Sequence, residues 1–356
     1  MKKTVLLLSM SILFAVSGCI PALVQVEPTI TPSPTNTPSA TPVPTNTNTP
    51  SATPVPTRTP LPTIPPLVLQ LKPGEAVLHP STETDPYAFY SYFPKSAVRE
   101  KNIVVGVWPE GGSRDDSDYE YCIERAKQAT VWLSDYSEKY KMPIVVVAIP
   151  GPLYVQTLHP DVFSTPDEMQ SRPDLKLIDA VWNQYIPALE GAGFVTNDKI
   201  LMMGMSAPGV FTHRFAMLHP ELIQAAWECG EAAAPLPASE LNGTQLDYPL
   251  GIKNLVELAG NPFNLEAYLE VPQMVCVGEN EDAIEANWPE LFLDGQWQFI
   301  KTYFGDTDAE RTKFFYDYLI SMGAPAEFRL YEGVGHQLTD AMMNDAFEFL
   351  ISHDRR

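Results

Sequence analysis

The sequence predicts an α/β fold, a mostly parallel sheet covered on both faces by helices, and three observations carry that prediction. Short β-branched apolar runs bounded by Gly or Pro recur from about residue 67 onward, and longer amphipathic stretches separate them. The runs are too apolar to leave a face in water, and a parallel sheet between two helix layers is the common arrangement that hides them. Residues 87–93 (YAFYSYF) read as an aromatic-rich early strand, expected to pair antiparallel near one edge. Strands are then expected at 103–108, 144–149, 199–204, 222–228, 274–278 and 327–331. Helices are expected around 119–140, 175–191, 210–218, 311–322 and 339–352. Residues 232–269 break the rhythm and read as a candidate cap over the C-terminal edge of the sheet.

What precedes residue 67 is not built to pack. Between Glu27 and Pro66, 25 of 40 residues are Pro or Thr, and the 11-mer TNTPSATPVPT occurs at 35–45 and again at 47–57. Proline removes donors and holds the polyproline II φ, so this stretch reads as a solvated spacer of up to about 3.1 Å per residue. Residues 1–18 begin with Lys2 and Lys3, continue as a mostly apolar run from Val5 to Val16, and end in small residues before Cys19. The run falls short of the roughly 20 residues that cross a bilayer and reads as a secretory signal. The tetrad Val16-Ser17-Gly18-Cys19 resembles a bacterial lipobox. That resemblance implies a lipoprotein signal peptide at 1–18, lipidation of Cys19, a lipid-anchored linker at 19–66, and a domain at 67–356 held outside the cytoplasm on the cell membrane.

The net charge of −21 excludes one class of partner. Past residue 66, 43 Asp and Glu face 20 Lys and Arg, with no basic cluster larger than a pair, so nucleic-acid binding is not expected. The same excess opposes adsorption to an anionic membrane, which leaves the lipid as the expected membrane contact. The low overall charged fraction of 19% reflects dilution by the uncharged spacer.

The chemistry is expected at strand ends. The predicted strand 199–204 runs into Gly204-Met205-Ser206-Ala207-Pro208-Gly209 and then a helix. A serine on a tight strand-to-helix turn among small neighbours presents its hydroxyl at the edge of the sheet. An acidic loop, Glu279-Asn280-Glu281-Asp282, follows strand 274–278, and Gly333-Val334-Gly335-His336 follows the last strand. Serine, acid and histidine thus occur in chain order at successive strand ends. Glu281 stands three residues after Gly278, and Asp282, with the shorter side chain, one place later; both remain candidates, with Asp282 favoured.

On these motifs the chain resembles the α/β-hydrolase superfamily. Residues 206–220 (SAPGVFTHRFAMLHP) and Tyr248-Pro249-Leu250-Gly251 are similar to secreted esterases of the polyester depolymerase and feruloyl esterase type, a likeness running from about residue 104 to 349. The sequence departs from the family's G-x-S-x-G, since Pro208 stands where Gly is usual and Gly209 comes one place later. The resemblance implies a serine hydrolase that cleaves small or polymeric carboxylic esters through an acyl-enzyme on Ser206, with His336 as base and Glu281 or Asp282 as its partner. It also implies an oxyanion hole from the backbone of Gly111, Gly112 and Ala207, in a Gly-rich loop after residue 108. Peptidase or thioesterase chemistry on the same triad, and an inactive ligand-binding domain, are the alternatives. No cofactor is expected. His79, His159, His213, His219 and His353 lack metal-ligand spacing, so no metal is expected either. Of Cys122, Cys229 and Cys276, the last reads as a small buried hydrophobe, and a Cys122–Cys229 disulfide is an open option.

Overall fold

A run such as IVVVAI at Ile144–Ile149 has no polar side chain to offer solvent, so it is stable only with both faces covered. The computed structural model describes residues 71–81, 87–96, 102–103, 105–111, 119–149, 172–231, 234–281 and 295–354, all within the compact unit Leu61–Arg356. The expected signal peptide, Cys19 and the linker lie outside the described residues.

Eight strands form one sheet: β1 (Ala76–His79), β2 (Phe89–Tyr92), β3 (Gly106–Gly111), β4 (Ile144–Ile149), β5 (Ile200–Met205), β6 (Ile223–Cys229), β7 (Gln273–Gly278) and β8 (Ala326–Tyr331). Their spatial order is β1-β2-β4-β3-β5-β6-β7-β8. β2 runs antiparallel to both neighbours, as the aromatic early strand predicts, and every other pairing from β4 to β8 is parallel.

Alternate side chains of each central strand enter opposite cores. Val145, Val147, Ile149, Ile200 and Met202 pack in one core with three helical elements. One is α2, which is α-helical over Pro173–Ile178, π-helical over Asp179–Tyr185 and α-helical again over Ile186–Gly191; the others are α3 (Ala207–Leu218) and α7 (Asp308–Ser321). Ile144, Val146, Ala148, Leu201 and Met203 pack on the other face with α1 (Tyr119–Tyr140) and α8 (Asp340–Ser352). The π segment of α2 has a cause in the sequence: Pro187 has no N–H to donate to the carbonyl four residues earlier and crowds it, so the preceding turns widen, with Ile186 N–H reaching Val181 O.

Three expectations are corrected. The predicted strand 103–108 divides: Asn102–Ile103 pair with Val195–Thr196 apart from the main sheet, whereas β3 runs from Gly106 through Gly111. Cys276 is not an isolated hydrophobe and Cys229 does not bond Cys122, because the parallel register of β6 and β7 sets Cys229 beside Cys276, Cα to Cα 4.5 Å, and those two form the disulfide. Cys122 is buried on α1, in the same core layer. The interval 234–269 holds a hairpin (Glu240–Leu241 with Thr244–Gln245) and two single-turn helices, α4 (Leu255–Ala259) and α5 (Leu265–Leu269). Leu236, Leu246, Leu250 and Tyr268 from this interval are buried in the core that contains α3. A further helix, α6 (Gln296–Tyr303), was not anticipated.

Candidate active site

β5 ends in a turn that only small residues can make. Ser206 sits at φ 62°, ψ −131°, a conformation few non-glycine residues adopt, and its N–H donates to Cys229 O at 2.8 Å at the end of β6. A Cβ on Gly204 would lie 2.2 Å from Pro208 O, and one on Gly209 would lie 2.7 Å from Cys229 O. Both glycines are therefore required for α3 to pack this close to its strands. Pro208 falls within the first turn of α3, where a missing N–H costs nothing, so the shift of glycine to 209 leaves the elbow closed.

The strand ends bring three side chains together. His336 Nε2 lies 2.9 Å from Ser206 Oγ, and His336 Nδ1 hydrogen-bonds Glu281 Oε1. Glu281 is buried and its second oxygen accepts from Gly278 N–H at 3.1 Å, while its own N–H reaches back to Gly278 O at 3.2 Å. That tight turn brings residue 281 to the sheet edge, and the extra methylene of Glu spans to the imidazole. Where the sequence favours Asp282, the contact belongs to Glu281; Asp282 lies outside the described residues. The hydrogen bond that His336 donates to Glu281 raises the His336 pKa above its ordinary value, against the opposing effect of burial.

Two glycines that the motifs do not mark make the approach possible. Gly230, at φ 66°, would place a Cβ 2.7 Å from Glu281 Oε1, and a Cβ on Gly278 would meet Val334 O at 2.4 Å. A second buried carboxyl, Asp308, stands at the start of α7 and pairs with Arg311 one turn on. Burial pushes the Asp308 pKa up to about 6, opposed by Arg311 and reinforced by the charge of Glu281. The neighbouring signal that sequence does carry is the capping box: Thr307 Oγ1 accepts from Glu310 N–H at 3.2 Å and Glu310 Oε2 from Thr307 N–H at 3.0 Å.

The expected oxyanion loop starts later than the sequence suggests. Pro109, Glu110 and Gly111 belong to β3, because their register with Val147, Ala148 and Ile149 continues the ladder. The buried Glu110 carboxylate takes hydrogen bonds from Trp108 Nε1 and Arg125, each at 3.2 Å. Gly112 lies outside the described residues. Ala207 is the first residue of α3, and N–H groups of a first helical turn have no acceptor within the helix.

A mostly parallel sheet with a serine elbow after a central strand, and acid and histidine on later strand ends, is the α/β-hydrolase fold. Three solved structures align with the chain. Poly(aspartic acid) hydrolase-1 from Sphingomonas sp. KT-1 aligns with 79% of this chain and 99% of its own, at 18% identity and a TM-score of 0.54. The poly(3-hydroxybutyrate) depolymerase LpqC from Bordetella parapertussis aligns over 80% and 92%, at 17% identity and a TM-score of 0.48. An esterase from Thermogutta terrifontis aligns over 80% and 94%, at 14% identity and a TM-score of 0.47. At 18% identity the first of these speaks for the fold alone. No protein-family profile matches the chain, and no curated protein matches it in sequence.

Proposed function

We propose that this protein is a serine hydrolase of carboxylic esters, displayed outside the cytoplasm on a lipid attached at Cys19. The observation that carries the reading is Ser206 on its positive-φ elbow with Oγ 2.9 Å from His336 Nε2. In this mechanism Ser206 Oγ attacks the acyl carbon while His336 Nε2 takes its proton. His336 then gives that proton to the departing alkoxide, leaving an acyl group on Ser206. Water attacks the acyl-enzyme with His336 again as base, releasing the carboxylic acid and restoring the serine. Glu281 holds His336 with Nδ1 protonated and Nε2 facing the serine, and stabilises the imidazolium formed at each step. Ala207 N–H, with the backbone N–H groups of Gly111 at the end of β3 and of Gly112 after it, would receive the oxyanion.

Esters are favoured over amides by the resemblance carried in residues 206–220 and 248–251. A panel of p-nitrophenyl esters, aminoacyl anilides and poly(aspartic acid) tests the choice. Ester turnover abolished in Ser206→Ala is the expected result; turnover confined to the amides would replace the esterase reading with a peptidase.

A further inference from the structure

Away from the triad, three ionisable side chains meet in the core. His213 comes from α3, Glu228 is the penultimate residue of β6, and Glu231 follows two residues beyond the strand end; all three are buried. One potential ligand atom of each lies within 4.8 Å of the other two. His213 Nε2 is 3.2 Å from Pro235 O, an atom that can only accept, so that nitrogen carries a proton. His213 Nδ1 faces the carboxylates, 2.9 Å from Glu228 Oε2.

The cluster is unfinished in a way that points to a ligand. Glu228 Oε1, Glu231 Oε2 and the Thr312 hydroxyl are all buried without a hydrogen-bond partner. Glu228, Glu231 and Thr312 line one cavity of about 10 Å3, with Ala234, Val275 and Phe315 among its apolar walls. That volume holds a single atom or water. Two carboxylates and one imidazole share this space. Burial raises the Glu231 pKa to about 7, and the charge of Arg214, the next residue on α3, acts in the opposite direction. A buried carboxylate oxygen without a partner is costly, and a bound cation removes that cost at both oxygens together.

We propose that His213, Glu228 and Glu231 bind one divalent cation of the zinc class, with Thr312 Oγ1 or a water completing the shell. One imidazole and two carboxylates suit a zinc-like ion. Calcium asks for six to eight oxygens, which this space does not offer. Bonds of about 2.0–2.2 Å at tetrahedral angles put ligand atoms about 3.3–3.6 Å apart, so from separations within 4.8 Å the two carboxylates must rotate inward by roughly 1 Å to close the set. The Nε2–H bond to Pro235 O is the outer contact that orients a metal-binding imidazole with Nδ1 inward. The ion would join α3, which starts beside Ser206, to the end of β6, where Cys229 O holds Ser206 N–H and Gly230 lies against Glu281. Sequence spacing misses such a site because its ligands converge from a helix, a strand end and a loop. The proposal does not rest on the hydrolase reading.

The test strips the full chain with a chelator and titrates it with Co2+ and Zn2+. Expected are one equivalent bound, a cobalt d–d absorption band, and a melting temperature raised by about 5 °C at a zinc concentration roughly 100 times Kd. Glu231→Gln should weaken binding by about tenfold or more and abolish the zinc-dependent rise. His336→Ala should bind as the wild type does, which separates this site from zinc held at the triad. Absence of stoichiometric binding by the wild type overturns the proposal whether or not the variant folds, and is what an imidazolium–carboxylate pair with a buried water would give. Binding unchanged in Glu231→Gln, or lost in His336→Ala, overturns it equally.

Discussion

At the scale of single residues, the proposed chemistry turns on which acid holds His336. Glu281 does so in the structure, and the proposed role makes a pair of substitutions diagnostic. Glu281→Gln should lower kcat by about 10²–10⁴-fold, since an amide no longer enforces the tautomer or stabilises the imidazolium. Asp282→Asn should stay within about twofold. The two variants, assayed side by side on one soluble ester, check this. The pH profile adds a sign. His336 must be neutral to act as base, and its raised pKa keeps it protonated to higher pH. The acid limb of kcat/KM should therefore fall away through a midpoint above 6.5, and in Glu281→Gln the midpoint should move down as the main raising interaction is removed. Ser206 and His336 were readable from sequence because each sits in a motif at a strand end. The choice between Glu281 and Asp282 was not, because it depends on how tightly the turn after Gly278 closes and on the reach of one methylene.

At the scale of elements, a second buried ionic group ties helices to each other. Asp174, in the first turn of α2, accepts from Arg172 Nε at 3.0 Å, from Arg172 Nη2 at 2.7 Å and from His219 Nε2, just past α3, at 2.9 Å. Burial alone would raise its pKa, yet the bonds from His219 and Arg172 bring it down to about 2. A depressed carboxyl stabilises the fold above its unfolded pKa, and that contribution is lost as pH falls through the folded value. Asp174→Asn should thus cost about 2–3 kcal/mol at pH 7 and much less near pH 2, read from denaturant midpoints at the two pH values. Most strands and long helices were legible, since apolar runs and 3.6-residue periodicity report burial directly. The Cys229–Cys276 bond was hidden because it depends on strand register between residues 47 apart in sequence. The three-atom meeting of His213, Glu228 and Glu231 was hidden for the same reason, being made by packing and by no spacing along the chain.

At the scale of the whole molecule, an acidic α/β domain follows a segment in which most residues are Pro or Thr. If Cys19 carries a lipid, Cys19→Ser should move the protein from the membrane fraction to the soluble fraction, with hydrolysis of a soluble ester unchanged. Fractionation followed by the same assay measures both at once. The α/β architecture was legible from alternation alone, and the serine elbow from six residues, whereas the substrate is set by pocket side chains that neither pattern reports.

The proposed hydrolysis requires Ser206 to be an activated nucleophile. Treating the native full-length protein with a fluorophosphonate and mapping the adduct by peptide mass spectrometry tests it most directly. One phosphonylated residue is expected, Ser206, with labelling lost in Ser206→Ala and strongly slowed in His336→Ala. Folded protein that fails to label, or that labels at another residue, would contradict it.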